Sequence, residues 1–153
     1  MTVKNEVIVE SIPINIRVVE LTLVGDTPLI VHRWSEKTKK EMLDKQMKKA
    51  KLSKEAKDPM KEYLDCLYYY DRENNKYGFP SIAFKLAAVS AGGRFSDGLK
   101  MTELRGAFFV ENEFVEIEGT PTMREDMVRI GMGTADIRYR PEFKQWKTKL
   151  RIS

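Results

Sequence analysis

Apolar and polar positions nearly alternate from Ile14 to Val24. Ile14, Ile16, Val18, Leu21 and Leu23 mark a β-strand with one phase slip at Val18-Val19, the pattern of a bulge. Gly25-Asp26-Thr27-Pro28 interrupts it, and Leu29-Ile30-Val31 resumes it before His32-Arg33-Trp34. Beyond Trp34 the period changes. Ser35 is placed to cap a helix with Glu36 in its first turn. From Glu36 to about Lys51, Met42, Leu43, Met47 and Ala50 gather on one arc at ~100° per residue, with Lys37, Lys40, Lys45, Lys48 and Lys51 on the rest. This predicts an amphipathic helix with a thin apolar stripe. Leu52 to Lys57 reads as a polar hinge. Asp58-Pro59 then supplies the cap and first residue of a second helix, in which Met60, Tyr63, Leu64 and Leu67 recur at i, i+3, i+4 and i+7. That helix is expected to end before the polar turn Asp71 to Lys76.

Tyr77-Gly78-Phe79-Pro80 reads as a short extended piece, and Ser81 as the cap of a third helix holding Ile82, Leu86 and Val89, stopped by Gly92-Gly93. Arg105 to Val110 and Glu113 to Glu118, joined through Glu111-Asn112, predict a hairpin whose candidate buried residues include Phe108, Val110, Phe114 and Val115. Met123 to Ile130, the loop Gly131-Met132-Gly133, Ala135 to Tyr139 and Trp146 to Ile152 complete the chain. Strands at both ends with helices between them predict an α+β fold, an antiparallel sheet packed by helices. It is read as one domain over residues 1–153, with a helical insertion at about 35–70.

Charge divides along the chain. Glu36 to Lys61 holds ten lysines against five acids, and Arg138 to Arg151 holds six basic residues against Glu142, so each segment is +5. Glu103 to Asp126 holds seven acids against Arg105 and Arg124, or −5. Two positive poles and a negative one suit a polyanionic partner or head-to-tail self-association. Catalytic chemistry is thinly supplied. There is one His and one Cys, with no Gly-x-Ser-x-Gly elbow, no phosphate loop and no four-ligand zinc set, so neither a cofactor nor a metal is expected. Glu125, Asp126 and Asp136 read as surface charges. His32, between a strand end and the basic helix, is the outside candidate for a general base in metal-independent RNA cleavage. No run of about 18 apolar residues and no secretory leader is present, and a single cysteine fits a reducing, cytoplasmic setting.

Lysines on a helix and a basic final strand pair, interleaved with Trp34, Tyr139, Phe143 and Trp146, provide phosphate contacts and stacking platforms for single-stranded RNA or DNA. The expected contacts are Arg33, Lys45, Lys48, Lys49, Arg138, Arg140, Lys147 and Lys149. Two segments strengthen that reading. Leu21-Thr22-Leu23-Val24-Gly25-Asp26-Thr27-Pro28-Leu29-Ile30 resembles the opening strand and Thr/Ser-Pro-Leu turn of the RRM-like, Cas7-type backbone subunits of CRISPR effector complexes, the RAMP superfamily. Phe79-Pro80-Ser81-Ile82-Ala83-Phe84-Lys85-Leu86-Ala87-Ala88 is similar to that superfamily's extended turn running into a helix with a basic residue near its start. The resemblance covers about an eighth of the chain. It implies a ferredoxin-like core, stacking of subunits, a groove for single strands, Lys85 beside the nucleic acid, and Gly131 and Gly133 as the remnant of a glycine-rich loop. The shorter chain and weaker glycine loop fit a compact stand-alone relative, such as a phage single-strand-binding or annealing protein. They equally fit an inhibitor acting on a host nucleoprotein complex such as CRISPR, which would place the chain in the host cytoplasm.

Overall fold

A computed structural model describes residues 15–49 and 56–153. Among them the chain forms β1 (Val19–Val24), β2 (Leu29–Ile30), α1 (Glu36–Gln46), α2 (Pro59–Asp65), β3 (Tyr69–Asp71), β4 (Lys76–Pro80), α3 (Ser81–Phe95), α4 (Met101–Ala107), β5 (Phe114–Ile117), β6 (Pro121–Ile130), β7 (Thr134–Phe143) and β8 (Lys147–Ile152). The class is α+β with antiparallel pairing throughout. The strands divide over three small sheets, β1-β8, β2-β7-β6 and β3-β4-β5.

Two of the sheets are parts of one bent ribbon. β1 and β2 run antiparallel to β8 and β7, and the bend falls where Gly25-Asp26-Thr27-Pro28 faces Lys144-Gln145-Trp146. Gly25 N–H donates to the Trp146 carbonyl at 3.0 Å, and the Trp146 indole N–H donates to the Thr27 carbonyl at 2.9 Å. A Cβ on Gly25 would lie 2.1 Å from the indole nitrogen, so only glycine lets the ring cross the bend there. β6 and β7 continue the ribbon as a hairpin of ten-residue strands, turned by Gly131 and Gly133 at φ of +70° and +88°.

The core is small. Val31, Leu67, Val115, Ile117, Phe143 and Leu150 are buried together. An aromatic row surrounds them, with Tyr77 set edge-on to Phe143 at 5.6 Å, Phe79 edge-on to Tyr68 and to Phe84 at 5.8 Å each, and Phe84 6.4 Å from Trp146. The third sheet reaches β8 through two isolated bridges, Val110 to Ile152 and Glu118 to Lys147. Between them Thr148, fully buried, donates its hydroxyl to the Glu116 carbonyl at 2.7 Å.

Several expectations are corrected. Arg105 to Val110 is no hairpin strand: Met101–Ala107 is helical, and β5 pairs with β4, setting Val115 and Ile117 opposite Phe79 and Tyr77. Of the candidate buried residues Val115 is buried, and Phe108, Val110 and Phe114 are half-buried. Gly92-Gly93 does not stop α3. A Cβ there would meet the Leu104 side chain at 2.7 Å and Met101 at 2.2 Å, so the two glycines bring α4 close while the helix runs on to Phe95. Ser81 is the first helical residue and not a cap, because its hydroxyl donates to the Asn112 carbonyl. α2 ends at Asp65, and Tyr69–Asp71 beyond it is strand.

The caps at Ser35 and Asp58 form as expected, accepting from Thr38 N–H at 3.2 Å, and from Met60 and Lys61 N–H at 3.0 and 3.1 Å. α1 stops at Gln46, short of Lys51. Lys48 turns left-handed at φ +55°, and Lys49 N–H and Lys48 N–H return to the Asp44 and Lys45 carbonyls in a Schellman closure. β1 begins at Val19, after the phase slip. Ile14 of the expected first strand, Ala50 and Lys51 of the first helix, and Leu52 to Glu55 of the hinge lie outside the described residues.

Candidate nucleic-acid interface

The acidic pole of the sequence and the C-terminal basic pole meet in space. Glu111, Glu116 and Glu118 of the acidic segment pair with Arg151 at 3.0 Å, Lys76 at 3.2 Å and Lys147 at 2.8 Å. Hydrogen bonding from Lys147 holds the Glu118 carboxyl below its ordinary range. On the hairpin, cross-strand register places Arg124 opposite Arg140 and Asp126 opposite Arg138. Arg124 reaches Asp126 at 2.7 Å and Glu142 at 2.8 Å, Arg138 reaches Asp136 at 2.9 Å, and Arg140 lies 3.6 Å from Asp126. Lys57 closes the row on Asp136 and the Ile137 carbonyl. These pairs pull the Asp136 carboxyl down and push the Arg124 guanidinium up.

Arg138, Arg140 and Lys147 are therefore half of an internal charge ladder, not free phosphate ligands. Lys149 makes no ion pair among the described residues. It lines a cavity of about 270 Å³ between β5 and β8, together with Glu111, Glu116, Glu118 and Arg151, a mixed-charge setting. Lys85 is half-buried, with its ammonium 3.8 Å from the centre of the exposed Phe109 ring, a cation–π contact. Gly131 and Gly133 form the turn of the β6-β7 hairpin and line no groove. Of the expected stacking residues, Phe143 is core and Trp146 is held across the bend, Tyr139 is half-buried on the hairpin, and Trp34 is 55% exposed.

His32 is exposed, with Nδ1 3.3 Å from Cys66 Sγ. Desolvation and the nearby Arg140 and Arg138 lower its pKa, while Glu62 opposes them. Burial, with Glu62 and Asp65, pushes the buried Cys66 thiol up and keeps it protonated, the reverse of an activated nucleophile. Arg33 is spent on backbone: its Nε donates to the Asp65 carbonyl at 3.3 Å and its N–H to the Cys66 carbonyl at 3.0 Å. The carboxylates Asp126 and Asp136 face arginines and Lys57 rather than each other.

What is left exposed is α1. It buries none of its residues. Lys39 pairs with Glu36 at 2.8 Å and Lys49 with Asp44 at 2.9 Å, whereas Lys40, Lys45 and Lys48 make no ion pair among the described residues. Lys40 was not among the expected contacts, although ~100° per residue puts it with Lys45 on one half of the helix. Met42, Leu43 and Met47 occupy the other half and are exposed too, and Trp34 precedes the cap. An eleven-residue helix without packing has marginal stability in water, where about 12–15 residues are needed even for favourable sequences.

Comparison of the chain with family models, curated proteins and solved structures returns no significant match. Among the described residues no helix is long and apolar enough to cross a membrane.

Proposed function

We propose that this chain is a non-enzymatic binder of single-stranded nucleic acid that works as a self-associating subunit. The observation that carries the reading is α1 with its closing turn, an unpacked element on which Lys40, Lys45 and Lys48 make no ion pair among the described residues and Trp34 is exposed at the start, while the basic strands neutralise themselves internally. Phosphates supply what that helix lacks: counter-charge along one half and a reason to be ordered. Trp34 offers a face on which a base can stack. Self-association is supported by the balance of apolar groups. Among the described residues twenty-four large apolar side chains are exposed against eight apolar residues buried, open apolar surface of the kind that association covers. The resemblance of Leu21 to Ile30 and Phe79 to Ala88 to RAMP backbone subunits points the same way. The reading is tested by mobility shifts of labelled oligo(dT) and oligo(U) across a salt series. Binding that weakens with salt is expected, and no binding at low salt removes it.

The exposed Met42, Leu43 and Met47 favour a second reading, in which the same helix docks on a host nucleoprotein complex such as a CRISPR effector. A partner retained from host lysate after nuclease digestion, together with failure to bind either oligonucleotide, selects that reading.

A further inference from the structure

Strand β1 is paired along one edge only. Its partner is β8, and among the described residues nothing pairs with its other edge. Such an edge is normally blunted by proline, lysine, a bulge or a covering loop. Here Val18-Val19-Glu20-Leu21-Thr22-Leu23-Val24 contains neither proline nor lysine, and Val18, Val19, Leu21 and Val24 are 47%, 51%, 44% and 71% exposed. Val19 and Leu21 lie opposite Ile152 and the buried Leu150, on the core side of the sheet, yet among the described residues nothing pairs beyond them.

We propose that a second copy of this chain covers that edge, through antiparallel β1-to-β1 pairing centred on Leu21. The inference rests on the self-association proposed above and names its interface.

The register follows from symmetry and side-chain chemistry. Two identical antiparallel edges are related by a two-fold axis normal to the sheet, which keeps the core-side face of both copies on one side. Facing residues must then have the same parity, so the axis passes through a single residue. Centring on Glu20 brings two carboxylates face to face, and centring on Val19 sets Val18 against Glu20. A centre at Thr22 sets Glu20 against Val24, and one at Leu23 sets Glu20 against Asp26. Only Leu21 matches like with like: Leu21 faces Leu21, Val19 faces Leu23, Val18 faces Val24 and Glu20 faces Thr22.

Joined this way, β8 and β1 of one copy continue into β1 and β8 of the other as one four-stranded sheet. A row of leucines, Leu150, Leu21, Leu21 and Leu150, crosses its inner face. On the outer face Thr22 lies beside Lys149, so Glu20 of one copy is separated from Lys149 of the other by the width of one strand. Lys149 has no ion pair within its own chain among the described residues, and Glu20 of the second copy brings a carboxylate onto the same outer face two strands away.

Cross-linking and mass tests decide the proposal. Leu21→Cys places two thiols directly opposite, at Cα spacings of about 4.5–5.5 Å that a disulfide fits. Mild oxidation should link it into a covalent dimer at least about ten-fold faster than Val24→Cys, whose thiol faces Val18 of the second copy; the buried native Cys66 stays in both. Leu21→Lys, with two cations meeting on the axis, should convert the dimer to monomer in light scattering while its circular dichroism stays native. If wild-type protein is monomeric with and without oligo(dT) or oligo(U), self-association and this interface both fall, and the edge is left for a strand of another protein. If it is oligomeric but Leu21→Lys leaves the mass unchanged and Leu21→Cys links no faster than Val24→Cys, the β1 interface alone is wrong and self-association stands.

Discussion

Neutralising the lysines of α1 separates the two basic poles that look equivalent along the chain. In the variant Lys40→Gln, Lys45→Gln and Lys48→Gln, glutamine has nearly the helix propensity of lysine at the two helical positions and the same unbranched Cβ as lysine at the closing turn, so the change removes charge without removing the helix. Each phosphate contact on a single strand contributes about 0.7 to the slope of log K against log salt, so three lost contacts lower that slope by about 2. Between about 50 and 200 mM salt the wild type should therefore lose roughly 20-fold more affinity than the variant. The comparison is Arg138→Gln with Arg140→Gln. Those guanidiniums face Asp136 at 2.9 Å and Asp126 at 3.6 Å, so they have little net charge to offer a phosphate, and the slope should hold while the hairpin loosens. Fluorescence anisotropy of labelled oligo(dT) and oligo(U), read at several salt concentrations with both variants, supplies the numbers. An unchanged slope in the α1 variant, or an equal fall in the β7 variant, refutes the assignment of the polyanion to α1.

Phe143, 1% exposed and edge-on to Tyr77, should cost about 3–5 kcal/mol on truncation to Ala. Urea denaturation measures it, and a loss below about 1 kcal/mol would mean that the core is centred elsewhere. Lys48→Gly removes the Cβ from a left-handed residue at φ +55° and should stabilise the end of α1 by up to about 1 kcal/mol, seen as more helical circular dichroism, while nucleic-acid affinity drops with the lost charge. No gain in helix would mean that the Schellman closure does not limit α1. His32, though exposed, resists protonation in the fold because of partial desolvation and the neighbouring Arg140 and Arg138, whereas in the unfolded chain it takes a proton near pH ~6.5. Stability from this residue is thus full above that pH and lost as pH falls below it. The melting temperature of wild type should decline more steeply on acidification than that of His32→Gln, and parallel curves would remove the effect.

Local signals were legible wherever they depend on a few adjacent residues. Ser35 and Asp58 cap the helices they precede, because a short acceptor side chain before an exposed N–H suffices without tertiary help. Gly131 and Gly133 turn a hairpin for the same local reason. Other signals failed because their meaning depended on a distant neighbour. Gly92-Gly93 looks like a helix stop in isolation, yet with Leu104 and Met101 against it the pair becomes a site of close helix approach. Arg105 to Val110 has enough apolar residues for a strand, but its first half ends α4 and its last residues pair instead with the distant end of β8.

The charge division is the clearest case. Sequence alone determined that the chain carries two basic segments around an acidic one, that it is α+β, and that the first helix has lysines on one side. Only the tertiary structure decided which charges remain available. Backbone pairing brought Glu111, Glu116, Glu118, Asp126 and Asp136 within salt-bridge distance of the strand cations, while α1 stayed apart from the core with Lys40 and Lys45 making no ion pair among the described residues. Linear charge counts cannot distinguish these outcomes, because the energy of a charge depends on what lies within a few ångströms of it, and that distance is set by strand register rather than by position along the chain.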